Sequence, residues 1–236
     1  MTAVETTERP SDLGVEVIET ASARALVVRL GSVHEALSWA IVNGGHTNTD
    51  VVVWREVRLA ELGPTVDAGA LLRETLAQVG TPRAVGLLTA RDVRRYEIER
   101  VERDGVQAEC LATVGLGNLL AVGDPTADAH APVGTINLVC RVSVGLTEEA
   151  LLEAMAIAAE ARTAAVLAGG LRSPLSGRPA TGTGTDCIVV AAPRALCPDR
   201  FAGKHTARGS AIGAAVFGAG SRGVARWIEE NACPTA

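Results

Sequence analysis

Between Ala112 and Asn137 the chain sets three glycine-rich blocks beside short polar side chains. They read Ala-Thr-Val-Gly-Leu-Gly-Asn (112–118), Ala-Val-Gly-Asp-Pro (121–125) and Gly-Thr-Ile-Asn (134–137). Glycine reaches backbone conformations closed to other residues and lets a neighbouring group approach the main chain closely. Thr and Asn supply donors and acceptors suited to a polar ligand or a reacting carbonyl. The middle block is a turn. The outer two end the apolar runs 108–114 and 136–144, which read as strands. Polar, glycine-flanked residues at strand ends are where a rigid sheet hands chemistry to its loops. Taken singly, each block is also an ordinary well-built turn.

The strands must pack without much aromatic mass. Hydrophobic residues make up 47% of the 236 but aromatic ones only 3%, so the core is built from Val, Leu, Ile and Ala. With 21% charged residues this is a globular composition. Disorder is expected only at the ends, with residues 1–12 as a flexible N-terminal segment. A net charge of -5 argues against nonspecific nucleic-acid binding, which needs a basic face. Cys110, Cys140, Cys187, Cys197 and Cys233 are dispersed, with no C-x-x-C spacing, and read as reduced thiols. The first residues are polar and acidic, unlike a signal peptide. Every apolar stretch is broken short of a membrane span. A cytoplasmic protein with no membrane association is expected.

Periodicity orders the rest. Residues 15–18, 25–30, 51–54, 84–88, 96–103, 108–114, 136–144 and 186–192 read as strands. Asp104-Gly105 marks a hairpin. Helices are expected over 67–79, stopped by Gly80; from Thr147, which can cap it, to about Ala168, stopped by Gly169-Gly170; and over 208–231. The last contains several glycines, so packing must hold it. Strands and helices mix without clean β-α-β alternation. The expected fold class is therefore α+β or mixed α/β, a single domain of mixed β-sheet layers packed with helices, over residues 13–236. The Ala- and Gly-rich last helix suits close packing within a subunit or between subunits, which leaves a homo-oligomer open.

Few side chains carry obvious chemistry. Gly182-Thr183-Gly184-Thr185-Asp186 lacks the Lys and following helix of a phosphate loop; it reads as a backbone nest with hydroxyls, ending in a carboxylate at a strand start. His205, in a loop beside Gly203, is a candidate general base or acid. It reads equally as a capping or solvent-facing histidine. His46 shares the ambiguity. His34 and His130 read as surface residues. Glu160 lies among alanines, where a solvated face is the ordinary reading. Arg162 does not share its face, so any partner must come from elsewhere. No metal-ligand spacing occurs, so neither metal nor cofactor is expected; a metal site would have to be assembled in space from His46, His205 and Asp92 or Asp186. No G-x-S-x-G elbow occurs. Thr135 after Gly134 reads as a strand entry, or as a threonine freed by self-cleavage.

The ordered set of motifs resembles the adenosylcobinamide amidohydrolase (CbiZ) family. The matching pieces are Ala36-Leu37-Ser38 with Val42-Asn43-Gly44-Gly45, residues 86–90 with Asp92-Val93, 112–118, 134–137, Leu146-Thr147 with Glu160-Ala161, 180–186, and 201–203 with His205-Thr206. The resemblance implies hydrolysis of the amide joining a corrin propionyl side chain to its aminopropanol arm. The products would be adenosylcobyric acid and the amino alcohol or its phosphate, in corrinoid salvage toward coenzyme B12. The chain departs from the family at His46, Arg162 and the charged segment 91–95. Two other readings therefore stay open: a related hydrolase recruited to another amide in specialised metabolism, and a non-catalytic corrinoid-binding protein. The latter lacks the Asp-x-His-x-x-Gly signature of cobalamin carriers.

Amide hydrolysis needs a nucleophile, an oxyanion site and an acid for the departing amine. The expected mechanism is attack by water, with His205 or Asp186 as base, the two forming a hydrogen-bonded pair. Thr135, Asn137 and the backbone of 115–118 would bind the oxyanion, and Asp92 or Glu160 would orient a partner or protonate the amine. Substrate is expected to bind at Asn43, Gly44, Gly45, His46, Thr89, Thr113, Gly115, Gly117, Asn118, Thr183 and Thr185. The alternative nucleophile is Thr135 after backbone cleavage.

Overall fold

The computed structural model describes residues 13–58, 61–63, 66–126 and 134–232. The N-terminal segment 1–12, His130 and Cys233 lie outside the described residues. Among the described residues, ten strands and three helices follow one another. The strands are β1 (Gly14–Glu19), β2 (Arg24–Ser38), β3 (Gly45–Glu56), β4 (Val85–Thr89), β5 (Tyr96–Arg103), β6 (Val106–Val114), β7 (Leu119–Leu120), β8 (Ile136–Val142), β9 (Gly182–Thr183) and β10 (Cys187–Pro193). The helices are α1 (Ala68–Gln78), α2 (Glu148–Ala168) and α3 (Ala207–Asn231).

Eight strands form one mixed sheet in the order β4-β3-β2-β10-β8-β6-β5, with β1 paired to β2. β3 with β4 and β8 with β10 are parallel; the remaining pairs of this sheet are antiparallel. This is the mixed-sheet α+β architecture expected from the unalternated strands and helices. β2 is longer than the run 25–30 suggested. A register slip between Arg29 and His34 carries it on, so its first half pairs with β1 and its second with β10.

The ends of the elements follow local chemistry. Asp67 caps α1 by accepting from the Ala70 amide, and Gly80 (φ 74°) turns the chain after it. Thr147 caps α2 in the same way, with Glu148 and Glu149 set against the positive helix end. Asp104 and Gly105 both adopt positive φ, as a tight hairpin between β5 and β6 requires.

Alternation decides which side of the sheet each residue covers. Ala108, Cys110, Ala112, Leu138, Cys140, Ile188 and Val190 meet the alanine-rich faces of α2 and α3. The other face, with Leu26, Val28, Trp54, Leu87, Leu111, Val139 and Val189, packs strand on strand. That requires the sheet to curl. Asn137 at the start of β8 shows the closure: its Nδ2 donates to the Leu88 carbonyl of β4, four strands away in the sheet order, at 2.7 Å.

The glycines of α3 are explained by proximity. A Cβ on Gly220 would lie 3.0 Å from Ala165 Cβ of α2, and one on Gly223 would lie 2.4 Å from Val114 Cγ2 at the end of β6. α3 thus rests directly on the strand end that leads into the 115–118 block. Alanine in place of Gly223 would gain about 1 kcal/mol of helix propensity. Overpacking against a stiff, buried β-branched side chain costs about 1–3 kcal/mol. Gly223→Ala is therefore expected to lower stability, read as a lower urea midpoint with an unchanged m-value. A raised midpoint would show that the helix can shift to relieve the contact.

Candidate active site

A cavity lies where the residues after β2, strand β4, the start of β8 and the loop entering β10 meet. It has a volume of about 480 Å³. Trp39, Ala40, Ile41, Val57, Leu62 and Leu87 supply apolar wall; Thr89, Asn118, Thr135, Asn137, Thr185, Asp186 and Cys187 supply its polar and sulfur-bearing side chains. Trp39 and Ile41 are half exposed or more and form an apolar surface at this site. The Trp39 indole Nε1 donates to the Asp186 carbonyl at 2.7 Å, which fixes the ring.

Asp186 organises the polar part. Its carboxylate accepts from the Ile136 amide (2.9 Å), the Thr183 amide (3.0 Å), the Thr183 hydroxyl and the Arg162 guanidinium. Arg162 projects from α2, and both side chains are largely buried, at 16% and 5% exposure. The carboxylate thus binds the 182–186 loop to the first residues of β8. Gly182 is glycine for the same reason, since a Cβ there would lie 2.5 Å from the Asp186 carboxylate. The glycine-threonine segment read as a nest turns back on its own aspartate, whose carboxylate takes the Thr183 amide and hydroxyl. The two-residue ladder of β7 with β9 clamps it to Leu119–Leu120.

Beside this knot lie two hydroxyls. Thr135 Oγ1 is 2.7 Å from Thr185 Oγ1, and Thr185 Oγ1 also donates to the Gly134 carbonyl at 3.0 Å. Next to them are two carboxamides. Asn137 is 1% exposed, and the side-chain oxygens of Asn137 and Asn118 are buried with no hydrogen-bond partner. Cys187 is the one thiol here. Burial pushes its pKa up to about 11, so it stays protonated.

The structure brings together Thr89, Asn118, Thr135, Asn137, Thr185 and Asp186. Gly115 and Gly117 contribute backbone just behind them: the Gly115 amide donates to the Thr135 carbonyl, and a Cβ on Gly134 would lie 2.5 Å from the Gly117 nitrogen. Thr183 serves Asp186. Thr113 is buried on β6 opposite Asn137, outside the cavity lining.

Other expectations are corrected. The His205–Asp186 pair does not form: Asp186 is occupied by the four donors above, and His205 is exposed in the turn before α3, outside the cavity lining. Asp92 is outside the cavity lining and pairs with Arg94, whose guanidinium holds its pKa down to about 2. Glu160 is 59% exposed and pairs with Lys204. Asn43 (φ 55°) donates to the Pro82 and Ala84 carbonyls, and Gly44 lies against Ala40, so both shape the turn between β2 and β3. Gly45 opens β3, and His46 on it is exposed, 4.0 Å from Glu148. His34 is buried, not at the surface; its Nδ1 donates to the Ser32 carbonyl, and burial lowers its pKa. Among the described residues, no three His, Cys, Asp or Glu side chains gather where they could hold a metal ion. Also among them, no helix is long and apolar enough to cross a membrane.

Sequence reasoning missed Arg162 as a site residue and Trp39, Ile41 and Leu62 as cavity wall. An arginine inside an alanine-rich helix was the available signal for the first. Nothing in the spacing marks the others.

By sequence the chain belongs to a family of amidohydrolases. That family is adenosylcobinamide amidohydrolase (CbiZ), matched over residues 10–232, nearly the whole chain. Membership implies a small-molecule corrinoid substrate. No curated protein matches the chain in sequence. Among solved structures, two distantly similar ones illustrate the likeness. The PH0078 protein of Pyrococcus horikoshii OT3 is 11% identical, with 88% of this chain and 78% of that one covered and a TM-score of 0.40. The L-aminopeptidase D-Ala-esterase/amidase of Ochrobactrum anthropi, described as a variant of the Ntn hydrolase fold, is 12% identical, with 92% and 83% covered and a TM-score of 0.41.

Two outcomes are expected. Arg162→Leu strands a buried carboxylate and should cost about 3–5 kcal/mol of stability, measured by urea unfolding; a cost under about 1 kcal/mol would show that Asp186 does not depend on it. Asp92 has a depressed folded-state pKa, so its contribution is complete above the ordinary carboxylate range and is lost as pH falls toward about 2. The stability gap between the unaltered chain and Asp92→Asn should therefore close between about pH 4 and pH 2.

Proposed function

We propose that the cavity hydrolyses the aminopropanol amide of adenosylcobinamide, releasing adenosylcobyric acid for corrinoid salvage. One observation carries this reading. Two buried carboxamide oxygens, on Asn118 and Asn137, lack donors beside the Thr135–Thr185 hydroxyl pair. Leaving a buried acceptor unmatched costs about 1–3 kcal/mol. An amide substrate brings an N–H to satisfy one of them. It also brings a carbonyl, which needs a donor. The Asn137 amide has two N–H groups, of which Leu88 takes one, so the second is free to bind the developing oxyanion.

The rest of the cavity suits a large amphipathic substrate. A volume of about 480 Å³ accommodates a side arm but not a corrin macrocycle. The macrocycle would rest against the exposed apolar residues Trp39 and Ile41 while its amide arm reaches the hydroxyls. Asp186 is a positioning residue in this scheme. It holds Ile136 and Thr183, and through them the backbone on either side of the reacting carbonyl.

Incubation with adenosylcobinamide, followed by mass spectrometry, should show adenosylcobyric acid and free aminopropanol. Asn137→Ala should lower kcat by about 10²–10³-fold in a protein that still folds. His205→Ala should leave turnover close to that of the unaltered chain. Intact adenosylcobinamide after prolonged incubation, with hydrolysis of a different amide, would move the activity to another substrate.

A further inference from the structure

Cleaving an amide with a hydroxyl demands a base, and among the described residues the cavity does not offer one. Among the described residues, the ionisable side chains lining it are Asp186 and Cys187. Asp186 is held by Arg162, Thr183 and the Ile136 amide, and Cys187 is a buried thiol. Yet the hydroxyl pair has a definite polarity. Each hydroxyl carries one proton. Thr185 donates its proton to the Gly134 carbonyl, so it must accept the proton of Thr135. The chain of bonds therefore runs from Thr135 O–H to Thr185 Oγ1, and from Thr185 O–H to the carbonyl of the residue just before Thr135.

We infer that the chain cuts its own Gly134–Thr135 peptide bond, and that the freed α-amino group of Thr135 then serves as the base for its own hydroxyl, the nucleophile. In the first stage Thr135 Oγ1 bonds to the Gly134 carbonyl carbon. Its proton passes to Thr185, and the Thr185 proton passes to the Gly134 oxygen. The adduct collapses as the C–N bond breaks and the proton on the Gly134 oxygen passes to the nitrogen of Thr135, leaving an ester between Gly134 and Thr135. One water hydrolyses that ester, giving a carboxylate on Gly134 and restoring the Thr135 hydroxyl. The new amine has an ordinary pKa of about 8, suited to a base near neutral pH.

The surroundings are built for both stages. A Cβ on Gly134 would lie 2.5 Å from the Gly117 nitrogen, 2.7 Å from Asn118 Oδ1 and 2.8 Å from the Gly115 carbonyl oxygen, so only glycine fits before Thr135. After scission Thr135 stays in place, because its carbonyl is held by the Gly115 amide and the next amide by Asp186. In turnover the amine takes the Thr135 hydroxyl proton as the oxygen bonds to the substrate carbonyl carbon. It returns that proton to the departing amine nitrogen as the C–N bond breaks. Water then releases the acid from the Thr135 ester. This second stage rests on the amide-cleaving reading above; the self-scission does not.

Denaturing intact-mass measurement of the purified full-length chain tests the scission. The expected result is two fragments, residues 1–134 and 135–236, whose masses sum to the whole chain plus one water, the second beginning Thr-Ile-Asn. Thr135→Ala should remain one chain, Thr135→Ser should still divide, and Thr185→Val should divide about 10²-fold more slowly. Circular dichroism checks that each variant folds. A folded, undivided chain that hydrolyses adenosylcobinamide overturns the inference and leaves the proposed activity standing. A divided chain inert toward corrinoid amides upholds the scission and removes the activity instead. Division in the unaltered chain that persists in folded Thr135→Ala assigns the cut to another agent and overturns the inference.

Discussion

The buried contact between Arg162 and Asp186 is the constraint on which the site depends. It joins the middle of the long second helix to the loop that enters a central strand. Through the other bonds of the carboxylate it also fixes the first residues of the neighbouring parallel strand. A charge pair so little exposed is weak evidence of stability in itself, since desolvation offsets much of the attraction. Its value here is geometric. Three elements distant in sequence are registered at one point, and the hydroxyls of Thr135 and Thr185 fall on that point.

The second determinant is the curl of the sheet. With 3% aromatic residues, the chain cannot fill a deep core with large rings. It uses small residues instead: alanine-rich helices lie close on one face, and the strands close on themselves across the other. Close approach is what makes the glycines of the last helix necessary. The same closure brings the end of β4 within hydrogen-bond reach of β8, so the cavity is enclosed by strands that are not neighbours in the sheet.

Much of this was legible in the amino-acid sequence because it is local. Asp67, Thr147 and Gly80 mark helix ends through bonds within a few residues of themselves, and the hairpin at Asp104-Gly105 needs no partner from elsewhere. The glycine-polar blocks also announced a site, and Asn118, Thr135, Asn137 and Asp186 do share a cavity. What stayed hidden is non-local. No pattern along α2 says that Arg162 finds Asp186, and no pattern around His205 says that it faces solvent. His34 looked exposed because its neighbours are polar, yet the register slip in β2 leaves it buried with the Ser32 carbonyl as its partner. The two-residue strands β7 and β9 are too short for any periodicity to show.

The bond from Asn137 to Leu88 ties recognition to architecture. The same carboxamide that closes the sheet also faces the cavity, so a guest that engages its free atoms leans on the seam of the fold. Free energy of association is then shared with the seam by linkage. Occupancy would be felt as slower amide-proton exchange along β4, a strand that contributes wall to the cavity but neither member of the Thr135–Thr185 hydroxyl pair.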